Sequence, residues 1–343
     1  MTTEESDTTS RPLVSVIIPT YNYGALIGET LDSLRRQTLA DWEALVVDDG
    51  STDDTAEVLA GAARRDPRFR YLRQTNQRQA VAKNTGLAAA RGRYVQFLDA
   101  DDFIEHRKLE RQVAFLEEHP EVDIVYGGVR YFGDPDARER LYSMTGENLP
   151  WMPEVSGAGA EVLGPLVRDN VMVINSPLVR RALVSRVGPF DPRLPPAEDW
   201  DFWLRCALAG GRFHFADIPD TLALVRAHPT SSSRDRLRMQ VAIELIREKL
   251  AALLKDEQLL ALNRGLRARE GWEFGLLLAE RGKSFGAAGR LLQSARFERR
   301  WRWKAKLLAC ALAAPLVPAT RLHALLTTSV TGSAKKLRGK GGA

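Results

Sequence analysis

Short β-branched runs alternate with helically spaced apolar segments through the N-terminal third of this chain, and few folds accommodate that rhythm. Leu13–Ile18 is such a run, closed by Pro19, and Ala25–Gln37 follows with Leu26, Ile27, Leu31 and Leu34 on one helix face. Glu43–Val47, Phe69–Leu72 and Tyr94–Leu98 read as further strands, Thr55–Arg65 and Gln79–Arg91 as further helices. Strands separated by helices of this length predict an α/β fold, a mostly parallel sheet with helices on both faces. Ligands of such sheets bind beyond the carboxyl ends of the strands. The polar clusters fall there: Thr20–Asn22, Asp48–Ser51 and Asp99–Asp102.

From Gly133 to Gly164 the pattern dissolves into Gly, Pro and polar residues around Trp151, and a stretch of that length is usually functional or mobile. Pattern returns at Val171–Val179 and Trp200–Ala209. After His228 the sequence is helical throughout, with apolar spacing over Arg236–Leu254, Leu259–Arg281 and Phe285–Phe297; the stretch Gly271–Ala295 also reads as a helical hairpin. A chain of 343 residues exceeds one ordinary core. The expected organisation is a disordered tail over 1–11, an α/β domain over 12–233 (donor half 12–130, acceptor half 131–233), and a helical region over 234–343, with the boundary near Ser231–Arg236.

Each polar cluster supports two readings. Three carboxylates in Asp99-Ala100-Asp101-Asp102 repel one another without a cation, and Mg²⁺ or Mn²⁺ commonly bridges such oxygens to a substrate phosphate. The alternative is a solvated turn, with Asp102 capping a following helix. Asp48 and Asp49 either accept hydrogen bonds from a base or ribose, or close a turn and cap the helix from Thr55. Tyr21, in Pro19-Thr20-Tyr21-Asn22, either stacks on a nucleobase or fills a turn. Glu198-Asp199-Trp200 precedes the expected helix Asp201–Leu208, so its carboxylates either cap that helix or supply a general base. His228 is a metal or phosphate contact, or structural. The indoles of Trp200 and Trp203 either stack on sugar faces or fill the core.

Taken in order, these motifs resemble an inverting GT-A glycosyltransferase of family 2. The resemblance runs from Leu13 to Ser233 and rests on VSVIIPTYN (Val14–Asn22), VVDDGSTDDT (Val46–Thr55), Asn76–Asp102 ending YVQFLDADD, GPFD (Gly188–Asp191), EDWDFWLR (Glu198–Arg205) and RAH (Arg226–His228). Each is weak alone; together, in this order, they are specific. The resemblance implies a GT-A domain, Rossmann-like and mostly parallel, here with a helical C-terminal extension. It implies a nucleotide-sugar donor, commonly a UDP-sugar, held by Pro19, Tyr21, Asn22, Asp48, Asp49, Arg78, Lys83, Asp99 and Ala100. It implies a Mn²⁺ or Mg²⁺ ion on Asp99 and Asp101 (the DXD motif) with His228, and Asp199 as catalytic base. Glu198, Trp200 and Trp203 would shape the acceptor site. Two positions depart from the family pattern: Gln77-Arg78-Gln79 stands where the family often has a Gly after Asn76, and Lys83 stands in place of an Arg.

Other classes fit less well. No G-x-G-x-x-G follows the first run; Tyr21-Asn22-Tyr23-Gly24 stands there, which argues against a dinucleotide oxidoreductase. Acidic strand ends repel nucleic-acid phosphate. A catalytically silent nucleotide-sugar binder or scaffold has no need of Asp199. Two cysteines, Cys206 and Cys310, build no disulfide framework, and Glu4, Glu5 and Asp7 stand where a secretory signal would be basic, so a cytoplasmic setting is expected. The C-terminal part gathers Arg299, Arg300, Arg302, Lys304 and Lys306 around Trp301 and Trp303, ahead of Leu307–Val317. Pro315 and Pro318 interrupt that run, which is too short to span a bilayer at ~20 apolar residues. It either lies on the inner face of the cytoplasmic membrane, suiting a glycan or lipid-linked acceptor, or packs as a soluble helix.

Overall fold

The computed structural model describes residues 11–133, 141–142, 148–194, 196–227 and 235–327. The chain divides into two compact units between Arg234 and Asp235. In the first, β1 (Val14–Thr20), α1 (Gly24–Arg35), β2 (Trp42–Asp48), α2 (Thr55–Arg65), β3 (Phe69–Arg73), α3 (Gln79–Ala89) and β4 (Tyr94–Phe97) follow the expected alternation. Next come β5 (Phe103–Ile104), α4 (Lys108–Glu118), β6 (Ile124–Tyr126), β7 (Val129–Phe132), α5 (Ala160–Arg168), β8 (Leu178–Arg180), α6 (Arg181–Val187), α7 (Glu198–Leu208), β9 (Phe213–Phe215) and β10 (Ala223–Arg226).

Seven strands form one sheet in the order β3-β2-β1-β4-β8-β6-β9. Every residue of β1 and β2 is buried, as expected of central strands covered on both faces. The pairing Val14↔Trp42 through Thr20↔Asp48 brings the two strands to a common end. The chain winds outward from β1 to β3 and then returns to β4 on the other side of β1, which makes a crevice beyond these ends. Helix α1 buries Ile27, Leu31 and Leu34, one face at helical spacing. Helix α3 reaches the sheet through Gly86, where a Cβ would stand 2.5 Å from Ile17 Cγ2.

The sheet is not wholly parallel, because β8 runs antiparallel to both β4 and β6. Of Val171–Val179, only Leu178 onward is strand; the preceding residues turn so that Asn175 and Ser176 meet buried polar partners. A second sheet, β5-β10-β7, lies outside the expectations drawn from sequence. So does α5, which occupies the end of the segment read as irregular. Helix α7 starts at Glu198, not Asp201, so Glu198 and Asp199 lie within its first turn.

The second unit holds α8 (Arg236–Leu253), α9 (Glu257–Glu280), α10 (Ser284–Phe297), α11 (Trp301–Ala313) and α12 (Ala319–Thr327). Asp235 and Asp256 cap α8 and α9 through side-chain acceptors for Leu237 N and Leu259 N. Phe274, Leu278, Leu291, Leu307, Cys310, Leu322 and Leu326 contribute to its core. Among the described residues no helix is long and apolar enough to cross a membrane.

Candidate active site

The loops after β1 and β2 lock together before they offer anything to a ligand. Asn22, with φ 58°, accepts at Oδ1 from Thr52 N (2.8 Å), and its own N donates to Ser51 Oγ (2.9 Å). Asp48, fully buried, accepts from Ser51 N (2.7 Å) and Tyr71 OH (3.0 Å). Gly50, at φ 81°, makes the turn that a side chain would strain. The capping expectation for Asp48 and Asp49 is corrected: Asp53 instead accepts from Thr55 N (3.1 Å).

Asp49 is buried and engaged. It accepts from Gln77 N (2.8 Å) and Gln74 Nε2 (2.7 Å) at Oδ1, and from Arg78 N (2.7 Å) at Oδ2. Arg78 sits at φ 75°, where glycine fits without strain and an L side chain costs ~1–3 kcal/mol. This is the stretch where the sequence departs from the family glycine, so the departure has a backbone consequence. The Arg78 side chain is exposed. Tyr21 is 43% exposed and keeps a ring face available. Pro19 is buried, and the buried Ala100 offers only its backbone, its carbonyl accepting from Thr30 Oγ1 (2.9 Å).

The acidic loop after β4 is held by Asn175 and by Arg226. Asp99 N donates to Asn175 Oδ1 (2.8 Å), and Asn175 Nδ2 donates to Asp102. Asp102 Oδ1 accepts from Arg226 N (2.7 Å), and Arg226 Nε donates to the Asp101 carbonyl (3.1 Å). Asp102 therefore serves β10 and Asn175, and a short strand rather than a helix follows it, which corrects the helix-cap alternative. Burial first, then Asp101, push the Asp102 carboxyl well above the usual range. Burial also drives Asp99 up to about 6, with Lys83 opposing and Asp101 and Glu198 adding to the shift.

Crowded carboxylates with raised pKa values fit a divalent cation, which would relieve their repulsion. Among the described residues, no three carboxylate, imidazole or thiol side chains converge as a complete cage. Asp99 and Asp101 suit an ion that takes its other oxygens from a substrate, as Mg²⁺ often does. His228 lies outside the described residues.

Two side chains of α3 connect this loop to α7. Gln79, the first residue of α3, donates to Asp99 Oδ1 (2.9 Å). One turn later Lys83 Nζ meets Glu198 Oε1 at 2.8 Å, with the two side chains 1% and 4% exposed. Burial pulls the ammonium down, but Glu198, Asp99 and Asp199 outweigh it and hold Lys83 above its ordinary value. Beside Glu198, Asp199 is half-buried, accepting from Trp200 N (2.7 Å) and Asn170 Nδ2 (3.0 Å). Burial and then Glu198 raise Asp199 to about 7, the range where a carboxylate is an effective base at neutral pH.

Several expectations change on this geometry. Lys83 is sealed beneath the site and committed to Glu198, so it does not face a donor. Glu198 is likewise consumed by Lys83 and is not an acceptor contact. Trp203 is fully buried among Phe97 and Phe202, and Trp200 is 4% exposed with Nε1 donating to Leu166 O (2.8 Å). Neither indole offers a face to a sugar. Asn170, Asn175 and Gln79 were missed from sequence; the polar Asn175-Ser176 pair closing an apolar run was the available signal.

The sequence profile of Glycosyl transferase family 2 matches residues 15–175. A PGL/p-HBAD biosynthesis glycosyltransferase of Mycobacterium tuberculosis is 35% identical over 197 residues, covering 57% of this chain and 70% of that protein. The uncharacterized glycosyltransferase EpsJ of Bacillus subtilis is 31% identical over 230 residues, and the match takes in 64% of this chain and 62% of EpsJ. In fold, the chain resembles S. aureus TarS 1–349 in complex with UDP-GlcNAc (TM-score 0.67, 20% identity, 93% of this chain and 92% of that one). It also resembles the mannosyltransferase PcManGT of Pyrobaculum calidifontis in complex with GDP-Man and Mn²⁺ (TM-score 0.57, 23% identity, 97% and 89%).

Proposed function

This chain belongs to the family 2 glycosyltransferases, and on that premise we propose that it transfers a sugar from a UDP-sugar to an acceptor hydroxyl with inversion. The observation that carries the proposal is Asp199, a carboxylate raised to about 7 in the first turn of α7. Asn170 and Trp200 N hold its orientation, and the Lys83–Glu198 pair joins its helix to the one that steadies Asp99. A nucleotide-sugar binder without turnover gains nothing from a base prepared in this way.

In the proposed reaction Tyr21 lays its ring on the nucleobase, and the loop Gln74–Arg78 shapes the nucleoside pocket through Asp49. A divalent ion on Asp99 and Asp101 would supply neutralisation of the leaving diphosphate. Asp199 takes the proton of the acceptor hydroxyl as that oxygen attacks the anomeric carbon. The bond to the diphosphate breaks on the opposite side. A base with no protein nucleophile gives one displacement and therefore inversion, and base assistance is worth ~10²–10⁴ in rate. We take the acceptor to be a cell-surface glycan, polysaccharide or lipid-linked sugar met at the inner face of the cytoplasmic membrane. The UDP-GlcNAc complex of TarS, a likeness in fold, supports the choice of donor nucleotide.

The test is a panel of nucleotide sugars offered with Mn²⁺ or Mg²⁺, read first as thermal stabilisation and then as release of the nucleoside diphosphate. Stabilisation by UDP-sugars with slow release that depends on Asp199 supports the proposal. Stabilisation with no release under any acceptor would turn the reading to the silent binder.

A further inference from the structure

We propose that the end of the sheet opposite the strand-end site holds a second ligand site, for a multiply charged phosphate-type oxyanion. Tyr94 N donates to Leu13 O (3.0 Å) and Arg181 N donates to Arg93 O (3.0 Å). These bonds set Leu13, Arg93 and Arg181 side by side on the segments that lead into β1 and β4 and out of β8. A cleft of about 530 Å³ opens there, lined by Arg11, Arg91, Arg93, Arg180, Arg181 and Ser185. Its size falls in the ~300–1,000 Å³ range of small-molecule sites.

The charges in this cleft do not balance. Glu43 is shared between Arg91 (3.1 Å) and Arg70 (2.7 Å), and Glu117 takes both Arg93 (2.7 Å) and Tyr94 OH (2.7 Å). Arg180 donates to the carbonyls of Val122 (2.6 Å), Leu116 and His119 (3.2 Å) and to Tyr94 OH (3.3 Å), and it makes no direct ion pair among the described residues. Arg181 Nε is buried and has no hydrogen-bond partner among the described residues. A buried donor left in that state calls for a ligand or water. Arg93 and Arg181 lie one residue beyond the last β4–β8 pair, Tyr94↔Arg180, and both line the cleft. All the cations are guanidinium groups, whose planar forks match phosphate oxygens two at a time.

The shared chemistry is a phosphate carrying several charges, either free in solution or on a lipid headgroup. Inorganic pyrophosphate is the first probe, titrated into the full-length protein by calorimetry with chelator present, so that the metal-dependent strand-end site stays silent. Vesicles containing phosphatidic acid are the second probe. Saturable pyrophosphate binding that weakens at least tenfold in Arg93→Gln/Arg181→Gln, and is unchanged in Asp49→Ala, supports a free anion as ligand. Vesicle capture that weakens in the same variant, without pyrophosphate binding, supports a headgroup. Melting curves control for folding: the double glutamine variant should melt no lower than the parent, and pyrophosphate should raise the melting temperature of the parent and of Asp49→Ala but not that of the arginine variant. Binding of neither probe, equal binding by the arginine variant, or loss of binding in Asp49→Ala overturns the proposal.

Discussion

Lys83 and Glu198 lie 115 residues apart in sequence and form one buried ion pair, Nζ to Oε1 at 2.8 Å. It joins α3 to the first turn of α7. Glu198 Oε2 has no further partner among the described residues, so the pair is not fully satisfied and its net contribution to stability is small. Removing one partner alone is a different matter, since it strands a charge in the core. Lys83→Met is expected to destabilise the domain by ~3–5 kcal/mol, while Lys83→Met/Glu198→Leu should recover most of that loss. Urea unfolding of the parent, both single variants and the double variant measures the coupling. A loss below ~1 kcal/mol for Lys83→Met would show that the pair is solvated.

Asp199 sets the expected pH profile. Its carboxyl is raised to about 7, and only the carboxylate accepts a proton. Turnover should therefore rise with pH through about 7 and flatten above it. The stability sign is opposite. Between the ordinary Asp value and about 7 the folded chain keeps a proton that the unfolded chain has lost, so this group's contribution to stability falls as pH rises across that window. Asp199→Asn should abolish the acidic limb and reduce turnover ~10²–10⁴-fold, with donor affinity nearly intact. Turnover within a few-fold of the parent would remove Asp199 from the mechanism.

Donor binding should require Mn²⁺ or Mg²⁺ and should fail in Asp101→Ala. Asp99 and Asp101 share a loop in which burial, and then neighbouring carboxylates, drive Asp99 and Asp102 toward protonation, a cost that a cation would reduce. Calorimetry with UDP, with and without chelator, decides the matter. Equal affinity under both conditions would mean that the cluster acts only as a turn.

The strand-end loops were legible in the sequence because they are local. A β-branched run followed by Asp-Asp-Gly-Ser or Asp-Ala-Asp-Asp identifies both strand and loop within a dozen residues. What sequence did not yield depends on contacts between distant segments. Asn175 bridges Asp99 and Asp102 from more than seventy residues away, and the turn that carries it leads into an antiparallel β8 of only three residues. From sequence, Trp200 and Trp203 could either stack on sugar faces or fill the core. In α7 the helical turn sends Glu198, Trp200, Phe202 and Trp203 all into the core. The second sheet escaped notice because β5 has two residues and no periodicity to read.

Arg226 is the residue that the second sheet contributes. Besides its contacts to Asp101 and Asp102, its guanidinium pairs with Glu29 (3.0 Å) and lies over the rings of Phe103 (5.2 Å) and Phe132 (4.9 Å). A lysine has neither the fork nor the planar face. Arg226→Lys should weaken metal-dependent UDP binding by about tenfold, roughly 1.4 kcal/mol, while leaving the melting transition cooperative. Unchanged UDP affinity would show that the acidic loop holds its shape without this residue.

Helix α11 and the turn after it carry apolar residues on two faces, and among the described residues one of these faces packs into the core. Leu307, Cys310, Ala311 and Ala314 are buried in the core of the helical unit. Trp301, Leu308, Leu312 and Leu316 recur at helical spacing and are 72%, 40%, 77% and 83% exposed. Arg299, Arg302 and Lys304 flank this stripe, and Arg300 and Lys306 lie over the Trp303 ring at 5.3 and 4.9 Å. Leu, Trp and clustered cations suit the headgroup layer of an anionic bilayer, with ~1.5–3 kcal/mol for each leucine buried and ~1 kcal/mol for each nearby cation. Deleting α11 would strip the helical core, so point variants are the cleaner probe. The parent protein is expected to sediment with phosphatidylglycerol vesicles at low salt and to be released at high salt. Leu312→Glu/Leu316→Glu, which leaves the buried face intact, should bind at least tenfold less. If the parent stays in the supernatant at low salt, or if the glutamate variant sediments equally well, α11 is a soluble helix with a solvated basic edge.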